Sequence, residues 1–176
     1  MPFGAGVIWH PGSESHRELP GVGSGGFHRL APVTPEQELV ERLASKRDRV
    51  EVMRSLVGGV KATELRSVHL TDAALDALSG GLEHSNPQIR WWSIQLLDHC
   101  ADLRAIEAIV PLLDDPVARV RRNAVHALSC AACKPDWSGH LADGVIARIA
   151  LMAEADPNTK VRTDAALALS CHTKSS

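Results

Sequence analysis

Two cysteines and a histidine close together are the residues of this sequence whose types and spacing most suggest chemistry. The stretch ALSCAACKPD contains Cys130 and Cys133, and His126 precedes Cys130 by about one helical turn. Thiolate and imidazole groups are the ligands that tetrahedral zinc prefers. Together with Cys171, or alternatively His99, from a neighbouring segment, these three residues are candidates for the four ligands of a zinc site.

Two simpler interpretations compete with zinc at this place. A single Cys-x-x-Cys pair is a weak zinc signal, because structural sites usually present two such pairs or one pair with two histidines. A thioredoxin-like redox pair needs a strand-to-helix context, which the surrounding sequence does not provide. We therefore expect free thiols and no cofactor, with zinc and a redox switch as the alternatives.

The elements that position these residues come from a repeated pattern. The segments PQIRWWSIQLLDHC, ARVRRNAVHALSCA and TKVRTDAALALSCH align on Arg90, Arg121 and Arg162, which lie 31 and 41 residues apart. A pattern that recurs at this spacing predicts a helical solenoid. In each segment, small or aliphatic residues occur one before, three after and seven after the arginine. These positions share one helical face, and their residues are Ile89, Ser93, Leu97, Val120, Ala124, Leu128, Val161, Ala165 and Leu169.

A partner helix is predicted before each of these segments. The sequences DAALDALSGGL, RAIEAIVPLLDD and DGVIARIALMAEA each carry an apolar stripe at helical spacing. The turn within each pair contains Asn86-Pro87, Asp115-Pro116 or Asp156-Pro157. Proline disfavours a helical residue before it but suits the start of a helix. Each unit is therefore predicted to be a helix, a tight turn and a second helix.

The stretch IVPLLDDPVARVRRNAVHALS resembles a HEAT repeat of the short kind found in phycobilin lyase subunits and many bacterial HEAT-repeat proteins. The residues that carry the resemblance are Pro111, Leu112, Leu113, Asp115, Val120, Arg121, Ala124 and Leu128. The match recurs in the flanking units and covers roughly residues 71 to 171. It implies an all-α fold, an α-α superhelix of about three helix pairs. It also implies that an aspartate of one turn holds the arginine of a neighbouring repeat, a structural ladder of Arg90, Asp115, Arg121, Asp156 and Arg162.

Composition and the N-terminal sequence complete the predicted organisation. The chain is 44% apolar but only 3% aromatic, and it lacks Tyr, which favours close helix packing over a β-sandwich. Residues 1–33 are rich in glycine and lack apolar periodicity, so we expect a disordered or loosely packed segment before a helical repeat domain at 34–176. Thr34, Pro35 and Gln37 form a capping box at the start of a helix predicted over 35–57, which caps the repeats. Its predicted stripe is Leu39, Val40, Leu43, Val50, Met53 and Val57.

The face of the second helices that points away from the core carries unusual residues. Positions one and five after the repeat arginine lie opposite the core stripe, and in the middle repeat they are Arg122 and His126. Tryptophans are common energetic anchors of protein interfaces. Trp91 and Trp92 are either such anchors or are covered by the N-terminal helix, and we expect covering. The residues predicted to bind a partner are Trp91, Trp92, Arg119, Arg122, His126 and Trp137.

The chain's charge and its motifs narrow the function classes. A formal charge of −2 does not give the chain the overall positive charge that favours nucleic-acid binding. The sequence contains no run of about 18 apolar residues, the length that a membrane-spanning helix needs. We expect a cytoplasmic monomer whose partner is another protein. No paired carboxylates, nucleophile with a base, or phosphate-binding glycine loop occurs in a suitable place, so an interaction scaffold is favoured over an enzyme. The alternatives that the resemblance implies are a bilin lyase-like enzyme or subunit and a DNA glycosylase-like enzyme.

Overall fold

A computed structural model describes residues 32–59, 68–130 and 141–172, without the side chains of residues 171 and 172. Within these ranges every regular element is helical, and no helix is both long and apolar enough to cross a membrane. The predicted division at residue 33 stays a prediction, because residues 1–31 lie outside the described ranges. The α-helices are α1 (Pro35–Glu41), α2 (Arg49–Leu56), α3 (Asp72–Leu82), α4 (Pro87–Cys100), α5 (Ile106–Ile109), α6 (Ala118–Ser129), α7 (Asp143–Ala155) and α8 (Thr159–His172).

The helices stack as consecutive pairs. Helix α3 packs on α4, α5 and its flanking turns pack on α6, and α7 packs on α8, while α4, α6 and α8 also pack on one another in succession. The predicted all-α superhelix is therefore confirmed. The core stripe of the second helices is buried, with Ile89, Val120 and Val161 each at most 2% exposed. Only at the end of the array does a stripe residue, Leu169, remain partly exposed.

The first helix of the middle unit is shorter than predicted. Only Ile106–Ile109 is α-helical, and the 3₁₀ turns Leu103–Ala105 and Val110–Asp114 flank it. Pro111 explains the change, because it has no amide hydrogen to donate and its ring disfavours a regular helix through the preceding turn. The tightened turn still buries Leu112 and Leu113.

The predicted capping helix over 35–57 is wrong as a single helix. Thr34 and Gln37 form the expected capping box, but after the 3₁₀ turn Arg42–Ala44 the backbone becomes extended at Ser45, and α2 begins afresh at Arg49. The Arg49 side chain donates to the carbonyl oxygens of Leu43 and Ala44, which have lost their helical partners.

The break changes which residues of the second segment are buried. Val52 and Leu56 of α2 are buried, whereas Val50, a member of the predicted stripe, is 68% exposed. Val40, Leu43 and Val57 are buried as predicted. Helix α1 packs on α3, so the N-terminal segment does cover the first repeat, with a different set of residues.

Gly81 allows this segment to approach closely. A Cβ atom at Gly81 would collide with the Ser93 hydroxyl of α4 and lie 2.8 Å from Cγ1 of Val40. Both distances are too short for real Cβ contacts, so α1, α3 and α4 meet here only because residue 81 has no side chain.

Substitution of two adjacent glycines should therefore have opposite effects on stability. We expect Gly81→Ala to lower the free energy of unfolding by about 1–3 kcal/mol, because the added methyl group overpacks this contact. Gly80→Ala is the matched control: its Cβ meets nothing within 4 Å, so we expect a gain of about 0.5–1 kcal/mol from helix propensity. Urea unfolding monitored by circular dichroism measures both. Equal effects would contradict the close approach.

Two buried ion pairs connect the second helices to the turns of the following repeats. Arg90 donates from Nε to Oδ2 of Asp115 at 2.6 Å and from Nη2 to Oδ1 at 3.0 Å. Arg121 makes the same two-pronged contact with Asp156 at 2.8 and 2.9 Å. The hydrogen bonds from Arg121 hold the pKa of Asp156 below its ordinary value. This pair therefore stabilises the fold above about pH 4, and the contribution declines as the pH falls through the lowered pKa.

The same arginines also cap the turns of their own repeats. Arg90 donates to the carbonyl oxygen of His84, Arg121 to that of Asp115 and Arg162 to that of Asp156, at 2.7 to 2.8 Å. Each carbonyl lies six residues before its arginine. Arg162, in the last described repeat, also donates to the Thr159 hydroxyl. We call this set of five residues, Arg90, Asp115, Arg121, Asp156 and Arg162, the Arg–Asp ladder.

Removing one partner of a buried pair leaves the other charge uncompensated, which costs about 3–5 kcal/mol. We expect this loss for Asp115→Ala, because the Asp115 side chain is 2% exposed and that of Arg90 is 10% exposed. The neighbouring Asp114 is the control: it pairs with Arg148 at the surface, with 63% and 41% of the two side chains exposed. Asp114→Ala should cost less than about 1 kcal/mol. Similar losses in thermal unfolding would contradict the assigned role of the ladder.

Candidate binding groove on the second helices

A groove of about 350 Å³ lies on the face that α4, α6 and α8 share. Four of the six residues predicted to bind a partner, Trp91, Arg119, Arg122 and His126, contribute to it. Of the other two, Trp92 packs behind Trp91, and Trp137 lies outside the described residues. The full lining is Trp91, Gln95, Asp98, His99, Arg119, Arg122, Asn123, His126 and Asp164.

One end of the groove is a cluster of two tryptophans and two arginines. The rings of Trp91 and Trp92 meet edge to face with centroids 4.3 Å apart. The Arg119 guanidinium lies 3.6 Å from the centroid of Trp91, and that of Arg49 lies 4.2 Å from the centroid of Trp92. We call these four residues the Trp–Arg cluster.

The two tryptophans have different surroundings. Arg49, from the N-terminal segment, lies over Trp92, whereas Trp91 is half-buried and lines the groove. Burial, and secondarily the positive charge of Arg119, lower the pKa of Arg49. Sequence reasoning missed Arg49, since its contact with Trp92 joins parts of the chain 43 residues apart and leaves no periodic signal.

Ion pairs between neighbouring helices organise the rest of the groove. Arg122 of α6 donates from Nε to Oδ2 of Asp164 on α8 at 2.7 Å. His126 of α6 contacts Oδ2 of Asp98 on α4 through Nδ1 at 3.0 Å, and the Asp98 side chain is only 5% exposed. Both carboxylates of the lining therefore have a basic partner, and these contacts restrict the orientation of Arg122 and His126.

The floor of the groove contains an amide pair. Gln95 of α4 donates through its side-chain amide to Oδ1 of Asn123 on α6. Asn123 is 8% exposed, and its Nδ2 has no hydrogen-bond partner among the described residues. A buried, unpaired donor costs about 1–3 kcal/mol. This position of the groove is therefore not optimised for stability.

The lining can bind and orient polar groups through charges, amides, imidazoles and an aromatic ring. Asp98 and His126 form the kind of contact that orients an imidazole for proton transfer. The described lining, however, contains no Ser, Thr or Cys that could act as a nucleophile beside it. Its side chains suit recognition of a ligand through hydrogen bonds and ionic contacts.

The predicted zinc ligands are only partly described. Helix α6 ends at Ser129, and Cys130 is its half-buried C-cap residue. Cys133 and the Cys171 side chain lie outside the described residues. Within the described ranges no group of three His, Cys, Asp or Glu residues is arranged to hold a metal ion. The zinc set of His126, Cys130, Cys133 and Cys171 stays a prediction.

A further thiol lies on the core side of α4. Cys100 is 3% exposed, and burial, reinforced by the nearby negative charge of Asp102, raises its pKa to about 12. Its neighbour Ala101 has a left-handed backbone with a φ of 51°, which ends α4. Cys100 is thus a packing residue, unlike its exposed neighbour His99.

Comparison with known proteins identifies the repeats. The family profile of HEAT repeats matches residues 71–170, which is more than half of the chain. The chain belongs to the HEAT-repeat family. No curated protein sequence matches this HEAT-repeat protein. Among solved structures it is similar to an engineered protein whose crystal structure was determined by the Northeast Structural Genomics Consortium, with 22% sequence identity and a TM-score of 0.54. That alignment covers 79% of this chain and 62% of the engineered protein, and at this identity it supports the fold alone.

The burial of Cys100 predicts its reactivity. Because the thiolate is the reactive form and the pKa of this thiol is about 12, we expect almost no alkylation of Cys100 by iodoacetamide at pH 8 in the folded protein. In urea at the same pH, its pKa returns to an ordinary value and labelling should be complete. Mass spectrometry of the tryptic peptides measures both conditions. Rapid labelling of folded Cys100 would contradict its assignment as a packing residue.

Proposed function

We propose that this HEAT-repeat protein is an interaction scaffold that binds a segment of a partner protein in the groove. The observation that carries the proposal is the groove itself, which three successive second helices line mainly with polar and charged side chains. Trp and Arg residues provide many of the strongest contacts in protein interfaces. Trp91, Arg119 and Arg122 supply both types within one concave surface.

The geometry supports a short extended segment. Packed helices lie about 8–10 Å apart, so α4, α6 and α8 together extend across about 20 Å. This distance corresponds to about six residues of extended chain. Polar side chains of the lining, from Gln95 and His99, can pair with the carbonyl and N–H groups of a peptide backbone.

The groove is also partly ordered before a ligand arrives. The contacts of Arg122 with Asp164 and of His126 with Asp98 hold long side chains that would otherwise lose conformational freedom on binding. Immobilising a free side chain costs about 0.5–1.5 kcal/mol. The organised lining reduces this cost. No described feature of the groove specifically favours a bilin lyase-like or glycosylase-like reaction, and the cytoplasmic location and monomeric state stay predictions.

Site-specific photocrosslinking tests the proposal. A photoreactive phenylalanine analogue at position 99, which is exposed and lines the groove, should crosslink a protein from an extract of the native cell. The same analogue at Leu151, an exposed position on α7 outside the groove, is the matched control and should not give this adduct.

Competition makes the result specific to the groove. An excess of unlabelled wild-type protein should abolish the adduct, whereas a Trp91→Ala competitor should be at least tenfold less effective, since it lacks the aromatic anchor. Thermal unfolding of Trp91→Ala shows whether the competitor is folded under the conditions used. Equal competition by folded Trp91→Ala, or the same adduct from position 151, would contradict binding in the groove.

A further inference from the structure

Among the described residues, no carboxylate compensates the positive charge that the Trp–Arg cluster gives to one end of the groove. Within the described residues, neither Arg49 nor Arg119 has a carboxylate within ion-pair distance. The other charged groups of the lining have partners there, since Arg122 pairs with Asp164 and the Asp98 carboxylate contacts the His126 imidazole. The two guanidiniums are close enough for Arg119 to lower the pKa of Arg49, so an anion near Arg119 would relieve their repulsion.

The stacking of Arg119 determines how it can bind a ligand. A guanidinium placed over an aromatic ring can still donate hydrogen bonds through the N–H groups that point away from the ring. Arg119 is exposed and stacks 3.6 Å from the Trp91 centroid, so these groups are accessible beside the groove. The two parallel N–H groups of a guanidinium match the two oxygens of a carboxylate.

We propose that the groove selects an acidic segment, in which an Asp or Glu side chain of the partner binds Arg119 at the Trp91 end. This inference rests on the proposed function and adds the chemistry of the partner. The groove offers no further basic group for a continuous acidic tract, because Arg122 and His126 are already engaged by Asp164 and Asp98. The segment thus carries one acidic residue at the end that reaches Arg119, followed by polar or apolar residues.

The same geometry favours a peptide over single-stranded nucleic acid. Proteins that bind single-stranded nucleic acid use open aromatic ring faces on which the bases stack. At Trp91, Arg119 occupies one ring face, and the ring also packs against Trp92. A phosphate backbone carries a negative charge at every nucleotide, and beyond Arg119 the basic groups of Arg122 and His126 already have carboxylate partners, whereas a peptide needs to place only one negative charge.

Selection from an unbiased peptide library tests this inference with the full chain. The wild-type protein should select peptides with Asp or Glu enriched at one position. Arg119→Glu should reverse this preference to Lys or Arg at the same position, because the anchoring charge has changed sign. Arg54→Glu is the matched control: Arg54 is an exposed arginine on α2 that pairs with Glu51 outside the groove, and its substitution should leave the acidic preference unchanged.

Affinities of one selected peptide then isolate the contact. Replacing its acidic residue by the matching amide should weaken binding to the wild-type protein about tenfold and change binding to Arg119→Gln less than twofold. Binding should also weaken as salt increases. An equal loss in both proteins would overturn the assignment of Arg119 as the acidic anchor.

The outcomes distinguish the inference from the proposed function. Peptides that bind wild type but not Trp91→Ala, and that show no acidic enrichment, overturn the acidic anchor and leave the groove proposal standing. Failure to select any peptide that depends on Trp91 overturns both. If a mixed-sequence single-stranded oligonucleotide binds more tightly than the selected peptides, and Arg119→Glu abolishes that binding, the partner is nucleic acid and the acidic-peptide inference is wrong.

Discussion

The two-pronged contact between Arg90 and Asp115, repeated between Arg121 and Asp156, is the interaction on which the rest of this structure depends. Each arginine connects the start of one second helix to the turn that opens the next, and it also binds a carbonyl oxygen of its own turn. Because the fork of a guanidinium is rigid and directional, it constrains rotation and sliding of neighbouring helices more than apolar packing alone does. Equivalent positions of α4, α6 and α8 therefore line up, and residues that are far apart in sequence form one groove.

The residues two positions after each ladder arginine include buried polar groups that cost stability beside the groove. They are Trp92, Asn123 and Asp164 in the successive repeats. The ring nitrogen of Trp92 and Nδ2 of Asn123 are both buried without a hydrogen-bond partner among the described residues. An apolar residue at either place would avoid the cost of an unpaired donor. Both side chains therefore lower the stability of the repeats beside the groove.

The N-terminal segment has two roles in the same place. The break at Ser45 lets α2 pack on α1 and on the 3₁₀ turn Arg42–Ala44 with Val52 and Leu56 buried, and it brings Arg49 onto Trp92. Arg49 also restores hydrogen bonds to the carbonyls that the break has freed. Capping of the array and formation of the positive end of the groove are consequently coupled, and a change in the segment that alters α2 also alters the surroundings of Trp91.

The sequence by itself determined the local features of this HEAT-repeat protein. Helical periodicity identified the buried residues Ile89, Val120 and Val161, and the same counting placed Arg122 and His126 on the opposite face, because the 3.6-residue turn relates such positions directly. Only the tertiary structure decided the break in the predicted helix over 35–57, the exposure of Val50, and the contacts of Arg49 with Trp92 and of Arg119 with Trp91. These depend on which helices meet, and a one-dimensional pattern carries no distance between residues that lie far apart in sequence. The charge of the groove was decided in the same way: Asp98 and Asp164 each gained a basic partner from a neighbouring helix, whereas Arg119 stacked on a ring.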